Sequence, residues 1–330
     1  MIVEPSGGHI RPVDPQRDLN PIADLIELCF AHQMDDDGRD YLRHIRRAAR
    51  DISFRRWVNG ANEKVSTPLA GYVWEENGRI VGNLTLIPFF RGERWRYLIA
   101  NVATHPDFRG RGIARQLTQK GIAHVQKTGA PAVWLQVRDD NPTAHHLYLS
   151  LGFRERARRT TWGLAEPPAP LLQLLGFQIN GRPNMEWPIQ AEWLQKIYPP
   201  EVAWNLNFNP ERYAPGLMRS LTRFLSNEHI EQWSIHSGSD LIGFAVWDAG
   251  TANAETVWVA PNPACEDQAL SVILTILRRQ VRSIRPLVIN YPAYRGNQTF
   301  EHAGFSSQNT LIWMEINFEK RAETFLDAAR

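Results

Sequence analysis

A chain of 330 residues exceeds what one hydrophobic core usually serves, and 43% hydrophobic with 22% charged residues is the balance of an ordinary globular protein, so two domains are expected. Lysine and arginine number 37 against 35 aspartates and glutamates, a formal charge of +2, which excludes a large field drawing the chain to nucleic acid or a membrane surface. Met1–Gly8 lacks a basic segment followed by an apolar one, no run approaches the roughly 20 apolar residues of a membrane span, and Cys29 and Cys265 are far apart without metal-like neighbours; the expectation is a cytoplasmic protein with two buried, reduced thiols and no metal.

His9–Val13 reads as a short extended segment, and Pro15–Asp18 as a turn into a helix where Ile22, Leu25, Ile26, Cys29 and Phe30 recur at helical spacing. A second helix is expected from Tyr41 to Trp57, with arginines on its outer face. Two apolar runs, Leu69–Trp74 and Ile80–Phe89, flank Glu76-Asn77-Gly78, whose Asn-Gly step takes positive φ cheaply and marks a hairpin. Arg91-Gly92-Glu93 links to a third strand, Tyr97–Thr104, which ends at His105-Pro106 because proline cannot continue a ladder. A helix from Gly112 to Lys127 turns Ile113, Leu117 and Val125 inward and stops at Gly129. The unbroken apolar run Ala132–Val137 predicts a buried strand. Asn141 then opens a helix through Leu147 and Tyr148 to Gly152, and Phe153 begins the closing strands.

Glu166-Pro167-Pro168-Ala169-Pro170 forbids helix and fixes an extended link. The expected organisation is a domain over 1–165, a proline-containing linker over 166–183 and a second domain over 184–330. The second half reads as a worn copy of the first. Asp240-Leu241-Ile242-Gly243-Phe244 echoes Gly78-Arg79-Ile80-Val81-Gly82, Val257-Trp258-Val259-Ala260-Pro261 lines up with Val102-Ala103-Thr104-His105-Pro106, and Phe300–Phe305 lines up with Tyr148–Phe153. A repeat of about 150 residues is two copies of one domain; two unrelated α/β domains sharing common patterns is the competing reading.

The chemistry concentrates in Arg109-Gly110-Arg111-Gly112-Ile113-Ala114, which joins a strand to a helix. Glycines let backbone N–H groups turn toward one point, the helix start adds unpaired donors, and two arginines add charge, a construction suited to a pyrophosphate. It is not a P-loop, since no Gly-Lys-Ser/Thr follows, and it lacks the third glycine of a dinucleotide fingerprint. An exposed basic turn is the plain alternative. In context, Val102–Pro106, then Arg109-x-x-Gly112-x-Ala114, then Asn141-Pro142-Thr143-Ala144, Tyr148 and Gly152-Phe153, the segment over residues 9–165 resembles the GNAT N-acetyltransferase superfamily.

The resemblance implies an α/β fold with mixed α+β sheets: two tandem GNAT-like domains, each a central mixed β-sheet flanked by helices, similar in arrangement to mycothiol synthase. It implies acyl transfer from acetyl-CoA to a primary amine by direct attack, with a small-molecule or peptide acceptor and no metal. Backbone groups of Val102 and Thr104 would bind the pantetheine arm as an added strand, the N–H groups of Arg109, Gly110, Arg111, Gly112, Ile113 and Ala114 the pyrophosphate, and Asn141 the arm. Tyr148 would protonate the departing thiolate; a core aromatic with a wetted hydroxyl is the plain alternative. No acid stands on Tyr97–Asn101 as general base, which leaves a water relay through Asn101 or strand-end carbonyls, Glu75 or Glu76. A non-catalytic acyl-CoA sensor or interaction module is the other functional reading, and a monomer and a homodimer are both open.

The remaining features read more plainly. His145 and His146 are adjacent and cannot both face one metal. Asp35-Asp36-Asp37-Gly38 lacks the ligand alternation of a calcium loop, although beside an acceptor its acids would favour a cationic amine. Arg43, Arg46, Arg47 and Arg50, and the cluster Arg154–Arg159, are expected on solvated faces, without a nucleic-acid groove. Ala264-Cys265-Glu266-Asp267-Gln268 stands where the glycine loop would be in the second copy, and its two acids repel a pyrophosphate. That copy is expected to bind no CoA, and Trp187, Trp193, Trp204 and Trp233 to pack between the copies.

Overall fold

The computed structural model describes residues 7–34, 36–50, 70–91, 94–164, 174, 176–181, 184–206, 208–216, 229–249, 254–281 and 285–319. The chain divides into two compact units that are not contiguous in sequence. The first comprises Met1–Val137, Asn141–Glu155 and Trp313–Arg330, and the second Arg138–Asp140 and Arg156–Ile312. Besides the short excursion at Arg138–Asp140, the chain passes from the first unit to the second inside one strand, between Glu155 and Arg156, and returns inside another, between Ile312 and Trp313. A single boundary at the proline link would not give this division. Most of that link lies outside the described residues, but Phe177–Gly181 within it is a strand.

The first unit contains β1 (His9–Pro12), α1 (Leu19–Phe30), α2 (Asp36–Arg50), β2 (Gly71–Glu76), β3 (Arg79–Arg91), β4 (Arg94–Thr104), α3 (Ile113–Lys127), β5 (Ala132–Arg138) and α4 (Pro142–Ser150). The continuation of α2 toward Trp57 falls outside the described residues. β1 to β4 pair in sequence as antiparallel neighbours, and β4 pairs with β5 in parallel. Asn77 and Gly78 both take positive φ, 51° and 74°, so the Asn-Gly step makes the tight β2–β3 hairpin. On one face, Leu19, Ile22, Leu25 and Ile26 of α1 and Leu42 and Ile45 of α2 pack on Val73 and Ala103. On the other, Ile113 and Leu117 of α3 meet the sheet at Gly82, which has no side chain to keep them away. Each such fully buried aliphatic contributes about 1.5–3 kcal/mol.

The strand β6 (Arg154–Leu164) carries the chain into the second unit, which adds β7 (Phe177–Gly181), α5 (Trp187–Ile197), α6 (Pro200–Ala203), β8 (His229–Ser237), β9 (Asp240–Ala249), β10 (Glu255–Pro261), α7 (Glu266–Gln280), β11 (Leu287–Pro292), α8 (Asn297–His302) and the start of β12 (Phe305–Asn317). Its strand order is β12-β6-β11-β10-β9-β8-β7, with β6–β11 antiparallel and β10–β11 parallel. The last residues of β12 serve the first unit, where Phe318 donates its N–H to the Pro131 carbonyl at 2.8 Å, just before β5. Each unit is thus a mixed sheet flanked by helices. Trp193 and Trp233 belong to the second unit's own core and Trp187 packs edge-on to Phe244, so these tryptophans fill that unit rather than space between copies.

Candidate active site

β4 and β5 are parallel, so the segments leaving their C-terminal ends emerge on the same side of the sheet. One leads through Arg109–Gly112 into α3 and the other through Asn141 into α4. Gly110 and Gly112 have φ of 79° and 76°, a left-handed conformation that costs glycine little. The first bond of α3 runs from the Gln116 N–H to the Gly112 carbonyl. The N–H groups of Ile113, Ala114 and Arg115 therefore precede the helical ladder, and no side chain caps them. Both flanking arginines are exposed. Arg109 donates to the Thr104 carbonyl at 3.3 Å, while Arg111 lies over the Phe108 ring and 3.4 Å from the Glu76 carboxylate. Helix start, glycines and guanidinium groups together concentrate N–H donors and positive charge suited to a dianion.

The paired register of β4 with β5 runs from Tyr97↔Val133 to Ile99↔Leu135. β4 continues to Thr104 and β5 to Arg138, so the two strands extend beyond their last pairing. Val102 and Thr104 lie on this stretch of β4, between the pairing and the glycine loop. An extended ligand segment can add to such a strand by main-chain hydrogen bonds. The residues present therefore fit the diphosphate and arm of a coenzyme A.

Tyr148, on α4, is 7% exposed and packs edge-on to Phe153. Burial pushes its phenol well above the ordinary tyrosine range, so the hydroxyl stays protonated. Asn141 has a structural duty that its expected role did not include. It caps α4, its Oδ1 accepting the Ala144 N–H at 3.0 Å, which leaves the amide NH2 as its donor. Arg115 of α3 donates to the Ser150 hydroxyl at 2.8 Å and ties the two helices together.

The candidate bases are engaged elsewhere. Glu75 accepts from Arg11 at 2.5 Å and lies 3.5 Å from Arg17, and Glu76 faces Arg111. A cavity of about 570 Å³ lies between α1 and the β2–β3 hairpin, lined by Arg11, Arg17, Glu75, Leu25, Arg79 and His105 among others. Arg79 donates to His105 Nε2 at 2.7 Å. Cys29 is free and half-buried; its thiol donates to the Thr104 carbonyl at 3.4 Å, and burial raises its pKa. Among the described residues no cluster of His, Cys, Asp and Glu could hold a metal, and no helix is long and apolar enough to cross a membrane.

The second unit repeats the strand split and fills it from within. β10 and β11 pair at Glu255↔Leu287 and Thr256↔Val288, then run on to Pro261 and Pro292. Val259, the counterpart of Thr104, donates its N–H to the Tyr198 hydroxyl at 3.1 Å, and burial pushes that phenol up to about 12. Arg159 is 3% exposed, which corrects its expected place on a solvated face. It donates to the Asn290 side chain and carbonyl at 2.7 and 3.0 Å and to the Ile197 carbonyl, with its guanidinium over the Tyr198 ring. Burial lowers its pKa to about 10. Glu266, in the first turn of α7, is held by Tyr291 and Arg295 where the first unit offers free donors. Arg159 and Tyr198 escaped the sequence reading because nothing local distinguishes a buried arginine from a surface one.

Residues 31–153 match the family model for the acetyltransferase (GNAT) family. Over 62 residues the chain is 40% identical to the ribosomal protein bS18-alanine N-acetyltransferase of Salmonella typhimurium, a stretch covering 19% of this chain and 42% of that relative. It is 33% identical over 103 residues to the mycothiol acetyltransferase of Corynebacterium kroppenstedtii, covering 29% of this chain and 24% of that one. The match thus spans less than half of these relatives. A GCN5-related N-acetyltransferase from Sphaerobacter thermophilus superposes with a TM-score of 0.54 at 15% identity, covering 94% of this chain and 95% of that one. At that identity the likeness is one of fold.

Proposed function

We propose, from the match of residues 31–153 to the acetyltransferase (GNAT) family model, that the chain is an acyltransferase that transfers an acyl group, acetyl first among them, from acyl-CoA to a primary amine on a small molecule or peptide. One observation carries the reading. Uncapped helix donors, two positive-φ glycines and an extended strand edge converge at one end of the β4–β5 pair.

The backbone N–H groups of Gly110–Ala114 take the pyrophosphate, the expected Arg109 N–H being already donated to the Pro106 carbonyl at 3.2 Å, with the Arg109 and Arg111 guanidinium groups supplying long-range attraction. The Val102 main chain and the Thr104 N–H hold the arm in register, the Thr104 carbonyl already accepting from Arg109 and Cys29, and the Asn141 amide adds a donor at the start of α4. When bound, acyl-CoA supplies a thioester carbonyl activated for attack by a neutral amine. Tyr148 keeps its proton at neutral pH because burial disfavours the phenolate, so it is a donor for the sulfur that leaves. The second unit takes no CoA, since Tyr198 and Arg159 already satisfy the corresponding strand groups.

Calorimetric titration with acetyl-CoA tests this directly, beside a variant carrying Gly110→Glu and Gly112→Glu. One site per chain, absent in the variant, supports the reading and sets up a screen of amines for released thiol. Two sites would give the second unit a function denied to it here. No binding by the native protein would refute the acyltransferase assignment.

A further inference from the structure

β4 does not run straight to the glycine loop. Its register with β3 passes from Thr85↔Ala100 to Asn83↔Ala103, so Asn101 and Val102 stand opposite Leu84 alone, a β-bulge. Asn101 occupies it with φ of 51°, a conformation usually left to glycine. The bulge exchanges the faces of the strand. Ile99 lies against Gly121 of α3, whereas Ala103 belongs to the core under α1 and α2. In an unbroken strand these two residues would point the same way. The bulge begins two residues after the last pairing with β5, at the apex of the strand split.

Three side chains converge on it. Asn83 donates from Nδ2 to the Asn101 carbonyl at 2.9 Å and to the Thr85 hydroxyl at 3.3 Å. Asn101 donates in turn to the Tyr41 hydroxyl of α2 at 2.8 Å. Asn83 is 0% exposed, and its Oδ1 has no partner among the described residues. Its amide nitrogen thus supplies the donor that the bulge carbonyl needs, while the buried Oδ1 is a cost that the site carries.

We propose that Asn83, Asn101 and Tyr41 are positioning residues that fix the β4 bulge at the apex, where the thioester comes to rest when the arm lies along Thr104 and Val102. They thereby govern how the acyl carbonyl is held, not how tightly the cofactor binds. This rests on the acyltransferase reading.

The test uses the full chain and acetyl-CoA labelled with ¹³C at the thioester carbonyl, following its resonance on binding together with Kd by calorimetry. The native protein is expected to displace the resonance. Asn83→Leu should bind within about threefold of native Kd yet return the resonance toward its free position, and Tyr41→Phe should do so more weakly. Adding Asn101→Gly to Asn83→Leu should restore the displacement, because glycine holds positive φ unaided. A native-like displacement in Asn83→Leu, or binding by the native protein without any displacement, overturns the proposal. So does loss of binding in Asn83→Leu that the double variant fails to recover, which would make Asn83 a packing residue. Each of these leaves the acyltransferase reading standing, whereas absence of binding by the native protein removes both.

Discussion

Replacing Gly110 with alanine isolates what the loop glycines contribute. A Cβ at Gly110 would meet nothing within 4 Å, and at Gly112 only Gln116 Nε2 at 3.9 Å, so neither change creates a clash. What remains is the backbone: a φ of 79° costs an L-residue about 1–2 kcal/mol relative to glycine. The loop is exposed, so alanine can relax it in the free protein, and the penalty returns only when the ligand demands the original turn. The expected result is a Kd for acetyl-CoA weaker by about 5–30-fold, with a midpoint of thermal unfolding close to native. Gly110→Asn should lose much less, because asparagine tolerates left-handed φ. Calorimetry on the three proteins decides the matter. Native affinity in Gly110→Ala, or equal losses in Gly110→Ala and Gly110→Asn, would show that positive φ is not what the glycine supplies.

Further expectations concern other parts of the molecule. Tyr148→Phe should lower the transfer rate about 100-fold with acetyl-CoA affinity unchanged. Because burial raises this phenol's pKa, its acid form persists as pH rises; a native rate that fell across the ordinary tyrosine range would contradict the assignment. Tyr198→Phe leaves the Val259 N–H buried without an acceptor and should cost about 1–3 kcal/mol in denaturant unfolding, still with one acetyl-CoA per chain. Unchanged stability would count against the hydrogen bond. Glu75→Gln should weaken the fold by about 1 kcal/mol through Arg11 and Arg17 and leave the pH–rate profile intact. Loss of its acidic limb would instead make Glu75 the base.

The local grammar of the first unit was legible from residues. Asn77-Gly78 makes its hairpin, Ile113, Leu117 and Val125 are buried, and Gly110 and Gly112 take the positive φ that a phosphate-type turn requires. These are short-range properties, written in the residues that carry them. Partner choice between distant strands is not. The sequence places closing strands after Phe153 but does not show that Arg154–Leu164 pairs with β11, and Phe305–Asn317 shows nothing of its division between units. The buried polar groups were harder still. Asn83 interrupts an apolar run, a signal that could have been read, but Arg159 and Tyr198 meet only through the fold.

The return of β12 to the first unit bears on how the protein is made. Residues 313–317 lie beside β5, so a ribosome that has released the chain through Glu155 has delivered a sheet with an uncovered edge. At about 5–20 residues per second, the missing strand follows roughly 10–30 s later. During that interval β5 offers a row of open main-chain donors and acceptors to any neighbouring strand, including the same segment of another nascent copy. Premature stops anywhere in the second half would therefore be felt in the first, and a fragment ending at the proline link would be prone to join others edge to edge.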